Sequence, residues 1–332
     1  MAGDAGEGSG LGEHEALARL RRLLPAAPEG EVWFGDDAAV LKPVPGAPLL
    51  LLATDTVVAG LDADLSLTTL SDLGWKAMAV NLSDIAAMGG APAHAVVSVV
   101  GLGPEDLGRL YEGVLAAAGE YRCPVVGGDL SAGQQVVVTV AITGSVDGPP
   151  VLRRGARPGD TIWVTGPLGA SAAGLRVLQG RGPQGAERAR PAEARPAEAR
   201  PAEEEALVRA HARPRPALVA GAVARRAGAT AMIDVSDGLM ADLAQLASQS
   251  GVGFELAEVP AAPGATRQEA LAGGDDYVLV FTISPADAAS AGQAFAAAGL
   301  PAPLLIGECV PDPSCHFLAG ATVQVRGWEH AL

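Results

Sequence analysis

Hydrophobic positions along the chain change repeatedly between a helical and an extended period. Leu17, Leu20, Leu23 and Leu24 follow helical spacing and predict a first helix over Glu13–Leu24. Val32–Leu41 reads as a strand interrupted by Gly35-Asp36-Asp37, and Leu49–Ala53 as a buried strand running into Thr54-Asp55-Thr56. A long helix is expected over Leu67–Met88, ended by Gly89, Gly90 and Pro92. Ala95–Leu102 then reads as a strand, and Pro104 opens a helix with Glu105 and Asp106 in its first turn, where acids suit the helix dipole. Val125-Val126 is a short strand leading into Gly127-Gly128-Asp129, and Gln135–Val146 is a β-branched strand. Beyond Pro149, Arg157-Pro158-Gly159-Asp160 is a turn and Thr161–Thr165 a strand. Gly166–Gly174 is a glycine-rich bend into a helix, and strands and helices alternate again from Ala217.

The pattern predicts a mixed α/β chain with an N-terminal domain at 13–148 and a C-terminal domain at 149–332, preceded by a disordered leader at 1–12. One segment stands apart. Ala189–Glu193 reads Ala-Arg-Pro-Ala-Glu and repeats at Ala194–Glu198 and Ala199–Glu203. A proline every fifth residue excludes a regular helix, so 181–205 is expected to be a low-complexity surface insertion.

Composition narrows the function. Only 4% of residues are aromatic, so the core is built from Ala, Val and Leu. A formal net charge of −15 opposes nucleic acid and anionic lipid, both of which need Lys and Arg. No apolar run is long enough to span a membrane. Three cysteines without a CxxC pair, and a start lacking the regions of a signal peptide, suit a reduced, cytoplasmic protein.

The informative chemistry is aspartate placed after apolar strands and in glycine turns. It recurs as Gly35-Asp36-Asp37, Thr54-Asp55-Thr56, Gly128-Asp129, Asp234-Val235-Ser236-Asp237-Gly238 and Gly274-Asp275-Asp276. Asn81 and Asp84 add a helical pair three residues apart, on one face. Any one of these aspartates could be a turn or cap residue. Their recurrence after buried strands points to the crevice at a sheet edge, where α/β proteins bind ligands. Converging carboxylates repel each other, and a hard cation relieves them. Magnesium takes carboxylate, water and phosphate oxygens, which points to phosphoryl transfer. With five His and three Cys, a typical zinc site is excluded. No GxxxxGK[ST] motif occurs. The Thr165–Ser171 bend could cradle phosphate, or be a tight turn whose small residues allow close packing.

The runs GDDAAVL (35–41), ATDTVVAG (53–60), GWKAMAVNLSDIAAMGG (74–90), GGDLS (127–131), IDVSDGLMADL (233–243) and GGDDYVLVFT (273–282) resemble the thiamine-monophosphate kinase family. So does RRGARPGDTIWVTGPLGASAAGL (153–175). This family belongs to the aminoimidazole ribonucleotide synthetase-like superfamily. The resemblance implies a two-domain aminoimidazole ribonucleotide synthetase-like fold whose N-terminal domain pairs with its twin in a homodimer. It implies direct in-line transfer from ATP to thiamine monophosphate, several Mg²⁺ ions and no acid–base residue. The implied metal ligands are Asp37, Thr54, Asp55, Asp84, Asp129, Asp234 and Asp237, with Ala53 through its carbonyl. Gly128, Asp129, Arg153, Ser236 and Tyr111 are implied at ATP, and Asp62, Asp275 and Trp328 at the thiamine substrate. The family usually has His at the position of Asp62 and Glu at that of Asp275. Two alternatives are another ATP-dependent enzyme of this superfamily and a catalytically degenerate ATP- and magnesium-binding module. A plain phosphohydrolase is a third.

Overall fold

The computed structural model describes residues 22–26, 28, 49–182 and 200–327. The helix expected over Glu13–Leu24 falls largely outside these residues, and the strand at Val32–Leu41 wholly so.

A four-stranded sheet has the order β1-β4-β2-β3, with β1 at Leu49–Val58, β2 at Ala91–Val100, β3 at Val125–Ser131 and β4 at Val137–Val146. Helices α1 (Leu70–Ala87) and α2 (Pro104–Glu120) complete this part of the chain. Strand β4 alternates buried and half-buried residues along its whole length, the period of a sheet with one face covered. The structure extends two strands further than the sequence reading. Thr54-Asp55-Thr56 lies within β1, and Gly127-Gly128-Asp129 lies within β3, rather than past their ends. Among the described strands both stand at the edges of this sheet. An edge has backbone partners on one side only, so glycine and aspartate, poor in central strands, are tolerated there.

The seven-stranded sheet has the order β11-β10-β7-β9-β5-β8-β6. Its strands are β5 (Thr161–Val164), β6 (Ala231–Asp234), β7 (Gly253–Leu256), β8 (Leu279–Ile283), β9 (Leu304–Val310), β10 (His316–Leu318) and β11 (Ala321–Thr322). Successive side chains of the inner strands enter two different cores. Val280, Ile162, Val164, Ala231 and Ile233 pack with Leu239, Leu243 and Leu246 of α6 (Leu239–Ser250). Leu279, Phe281, Ile283 and Met232 pack with Val223 of α5 (Leu218–Arg226) and Phe295 of α8 (Pro285–Ala297). All five residues of β8 are therefore buried, and four of them are apolar, with Thr282 the exception.

By compactness the chain divides into two units. One gathers 54–78 and 93–141; the other adds 79–92 to the chain from 142 onward. The second half of α1 thus belongs with the C-terminal sequence, although it precedes residue 148. Ala86 and Ala87 share a core cluster with Ala220, Val223 and Ala224 of α5. Gly221 makes the approach possible: a Cβ there would lie 2.0 Å from the Ala86 carbonyl oxygen.

Helix α4 (Ala202–Ala212) starts inside the expected insertion, with Pro201 as its N-cap residue and Glu203, Glu204 and Glu205 in its first turn. The helix takes over the last four residues of 181–205, because proline is tolerated at a helix start and glutamates there suit the dipole. The remaining helices are α3 (Ala170–Leu178) and α7 (Arg267–Ala272). Among the described residues no helix is long and apolar enough to cross a membrane.

Candidate active site

Helix α1 is delimited by its own residues. Thr69 and Asp72 cap it reciprocally, each backbone N–H donating to the other's side chain. Gly89, at φ +67°, turns the chain out of its C-terminus. Near that end Asn81 and Ser83 are fully buried, and Asp84 follows. Strand β6 is wholly buried and ends on Asp234, which is 5% exposed. The Ser83 hydroxyl donates to Asp234 Oδ2 at 2.6 Å. The motif Asn81–Asp84 therefore meets the motif Asp234–Gly238, and a charge-assisted bond of this length is among the stronger kinds.

Beyond Asp234 the loop is held by its own amides. The N–H groups of Ser236, Asp237 and Gly238 donate to Asp242 Oδ2 at 3.1, 3.1 and 3.0 Å. Asp242 is 1% exposed. Burial, reinforced by the nearby charges of Asp234 and Asp237, raises its carboxyl to about 8 against the pull of two of those amides. On the other side of the loop, the Asp275 and Tyr277 N–H groups donate to the carbonyls of Ser236 (2.8 Å) and Val235 (2.9 Å).

The Gly273–Tyr277 segment is equally constrained. Asp275 and Tyr277 both adopt left-handed backbone, at φ +66° and +52°. Such conformations in non-glycine residues persist only where their surroundings enforce them. The Tyr277 hydroxyl donates to Asp275 Oδ1 at 2.8 Å. Between them, Asp276 accepts the Gly169 N–H at 2.5 Å and the Ser171 N–H at 3.1 Å. Burial raises the Asp276 carboxyl to about 6, opposed by the Gly169, Ser171 and Ala170 amides. The glycine-rich bend is thus bound to an aspartate of the protein. Its small residues also serve packing: a Cβ at Gly174 would lie 2.0 Å from the Leu207 carbonyl oxygen, and one at Gly169 2.6 Å from the Ala270 nitrogen.

The other residues singled out from sequence are distributed as follows. Asp55 is exposed on β1. Beside it Thr54 donates its hydroxyl to the Val140 carbonyl at 2.9 Å, leaving that oxygen's lone pairs available, and Ala53 precedes both. Asp129 is exposed on β3 and accepts the Ser131 hydroxyl at 3.2 Å. Gly128 is required by packing, since a Cβ there would lie 1.9 Å from the Val97 carbonyl oxygen. Asp62 Oδ2 accepts the Val58 N–H at 2.8 Å, so its carboxylate closes the turn after β1, and Lys76 Nζ donates to its carbonyl at 2.8 Å. Arg153 donates to Gln245 Oε1 at 3.0 Å.

Tyr111, expected at ATP, is a core residue. It is 3% exposed on the buried stripe of α2 with Leu107, Leu110 and Val114, and burial raises its hydroxyl to about 12. Its position at helical spacing from those apolar residues decides this. Asp37 and Trp328 lie outside the described residues. Sequence reading missed the roles of Ser83, Asp242 and Asp276. The available signal for Asp242 was an acid on the apolar stripe Leu239, Met240, Leu243, Leu246.

Among the described residues no group of three or more His, Cys, Asp or Glu side chains is assembled that could hold a metal ion. Magnesium commonly keeps several waters and takes one or two carboxylates together with phosphate oxygens, so it needs no such group. The donors here are oxygens, and the mutual repulsion of Asp234, Asp237 and Asp242 is the kind a hard cation relieves.

The family model described as AIR synthase related protein, N-terminal domain, matches residues 35–146, and that of the C-terminal domain matches residues 157–318. A thiamine-monophosphate kinase from Escherichia coli (strain K12) is 34% identical over 337 residues, spanning 96% of this chain and 98% of that protein. The crystal structure of thiamine-monophosphate kinase from Stenotrophomonas maltophilia K279a is 31% identical, with a TM-score of 0.77 over 92% of this chain and 95% of that one. AaThiL complexed with AMPPCP and TMP is 32% identical, with a TM-score of 0.71 over 85% of this chain and 87% of that one. Similarity of this extent, across both domains and both acidic motifs, places the chain in the AIR synthase related family, among the thiamine-monophosphate kinases.

Proposed function

We propose that this protein is a cytoplasmic, magnesium-dependent kinase that transfers the γ-phosphoryl group of ATP to thiamine monophosphate, giving thiamine diphosphate and ADP. The observation that carries this reading is its similarity to such kinases over nearly the full length of both chains. A relative in complex with AMPPCP, an ATP analogue, and TMP supports the choice of donor and acceptor.

In the transfer, an oxygen of the acceptor phosphate attacks the γ-phosphorus in line, and the bond to the β–γ bridging oxygen breaks. A phosphate monoester with a second pKa near ~6 is already a dianion at neutral pH, so its oxygen is a nucleophile without a general base. No residue is therefore assigned as acid or base. Magnesium, when bound, neutralises the triphosphate and the charge that develops during transfer. The residues proposed to hold it are Asp37, Thr54, Asp55, Asp84, Asp129, Asp234 and Asp237, with the Ala53 carbonyl. Gly128, Asp129, Arg153 and Ser236 are proposed at ATP, and Asp62, Asp275 and Trp328 at the acceptor. Ser83 keeps Asp234 oriented, and the Tyr277 hydroxyl does the same for Asp275.

The proposed enzyme works as a homodimer paired through its N-terminal sheet. Leu50 and Leu52 support this, since each is 72% exposed on β1 and alternate residues of a strand share a face.

The deciding experiment is product analysis with ATP, Mg²⁺ and thiamine monophosphate, beside a thiamine control and a control without acceptor. Thiamine diphosphate and ADP are expected in equal amounts, both abolished by chelator or by Asp84→Asn. ADP formed without acceptor would make the protein a hydrolase, and nucleotide binding without turnover a degenerate module.

A further inference from the structure

Two helices close their N-termini with the N-cap side chain: in α7 the Thr266 hydroxyl accepts the Glu269 N–H, and in α8 the Ser284 hydroxyl accepts the Asp287 N–H. Helices α2 to α6 have no such bond from their N-cap residue. In α6 the N-cap is Gly238, at φ +113°, which has no side chain to offer. The acceptor comes instead from Asp242, inside the first turn, and one carboxylate oxygen collects the amides of three consecutive loop residues. That arrangement is costly for a cap. It buries a carboxylate near two others, Asp234 and Asp237, where like charges repel. A side chain at position 238 is excluded by the φ of +113° and by the Ala272 backbone, 2.9 Å from where a Cβ would stand, so the acceptor has to come from elsewhere.

The arrangement does something a simple cap does not. It fixes the N–H direction of every residue from Ser236 to Gly238, while Asp275 and Tyr277 hold the carbonyls of Ser236 and Val235 from the other side. Gly274 permits that second contact, since a Cβ there would lie 2.5 Å from the Ser236 carbonyl oxygen. The loop is therefore held on both its donor and its acceptor edges by the protein's own groups.

We infer that Asp242 is a positioning residue for nucleotide binding, holding the Ser236–Gly238 loop preformed so that magnesium and the triphosphate meet a fixed set of oxygens. This rests on the reading of Ser236 and Asp237 as part of the ATP–magnesium site. It assigns the role to the acceptor oxygen of Asp242 rather than to its charge.

Asp242→Asn retains an acceptor oxygen, whereas Asp242→Ala retains none. Isothermal titration with Mg-AMPPCP and steady-state kinetics would be run on both variants and on wild type. For Asp242→Ala, KM for ATP and the magnesium requirement are expected to rise ~10–100-fold, the usual cost of removing a partner that orients metal ligands. Its kcat at saturating ligand should change much less. Asp242→Asn should restore both to near wild type. A wild-type KM and magnesium requirement in a folded Asp242→Ala, or an Asp242→Asn as impaired as the alanine variant, would overturn the inference. Should the alanine variant not fold, amide hydrogen exchange of the wild type decides. The Ser236, Asp237 and Gly238 amides are expected to be protected without ligand and to change little with Mg-AMPPCP. Protection that appears only with the nucleotide would overturn preorganisation. If wild type binds no Mg-AMPPCP, the nucleotide-site reading itself fails; unliganded exchange would still show whether Asp242 holds the loop.

Discussion

Ser83 and Asp234 are 151 residues apart in the chain, yet the serine hydroxyl lies 2.6 Å from the aspartate carboxylate. One ends a run of buried α1 residues and the other ends a wholly buried strand. The contact ties the helix motif Asn81–Asp84 to the loop motif Asp234–Gly238. Replacing Ser83 by Ala removes a hydrogen bond between two buried groups, one of them a carboxylate. A stability loss of ~1.5–3 kcal/mol is expected, read from the urea midpoint. The magnesium concentration for half-maximal activity should rise with it; an unchanged midpoint would show that another donor already satisfies Asp234.

Gly221 tests how closely the same helix is packed against α5. A Cβ at this position would lie 2.0 Å from the Ala86 carbonyl oxygen, and backbone atoms cannot swing away. Gly221→Ala should cost about 3 kcal/mol, the upper end of the overpacking range, despite alanine's better helix propensity. Thermal melting measures it, and a Tm at or above wild type would mean that α5 shifts freely against α1.

Asp276 gives the protein a pH signature. Its carboxyl is raised from 3.8 to about 6 in the folded state, chiefly by burial. The folded state therefore binds the proton more tightly than the unfolded chain does. The contribution of Asp276 to stability is greatest below the unfolded pKa and falls as pH rises through the folded one, by at most about 1.4 kcal/mol per pH unit. Wild type relative to Asp276→Asn should lose ground from pH 4 to pH 6 and hold level above. Urea midpoints at pH 4.5, 5.5, 6.5 and 7.5 would show this, and a difference that stays constant or grows with pH would contradict the assignment.

The exposed pair on β1 bears on assembly. Leu50 and Leu52 are each 72% exposed, so replacing both with Asp removes nothing from the core. Light scattering after gel filtration should give a dimer for wild type and a monomer for the double variant, with little change in far-UV circular dichroism. A wild-type monomer at micromolar concentration would remove the proposed pairing.

Much of this architecture was legible along the chain because its causes are local. β-Branched residues mark β4, and proline with two acids marks the start of α2. The aspartate motifs were equally plain, since turn and strand-end chemistry is written in neighbouring residues. Tyr111 was named at ATP by resemblance alone, and its helical spacing from Leu107, Leu110 and Val114 puts it on the buried stripe of α2. Thr54–Thr56 and Gly127–Asp129 were placed just past their strands because Thr, Asp and Gly suit strand ends and turns, whereas β1 and β3 continue through them.

The sequence by itself determined residue chemistry, periodicity and family, because these depend on which side chains stand within a few positions of one another. Tertiary structure decided which carboxylate meets which hydroxyl or amide. Ser83 reaches Asp234 because α1 and β6 pack into one unit, and Asp276 reaches Gly169 and Ser171 across 107 and 105 positions. Such contacts leave no periodic trace, since a hydrogen bond depends on distance in space and not on separation along the chain.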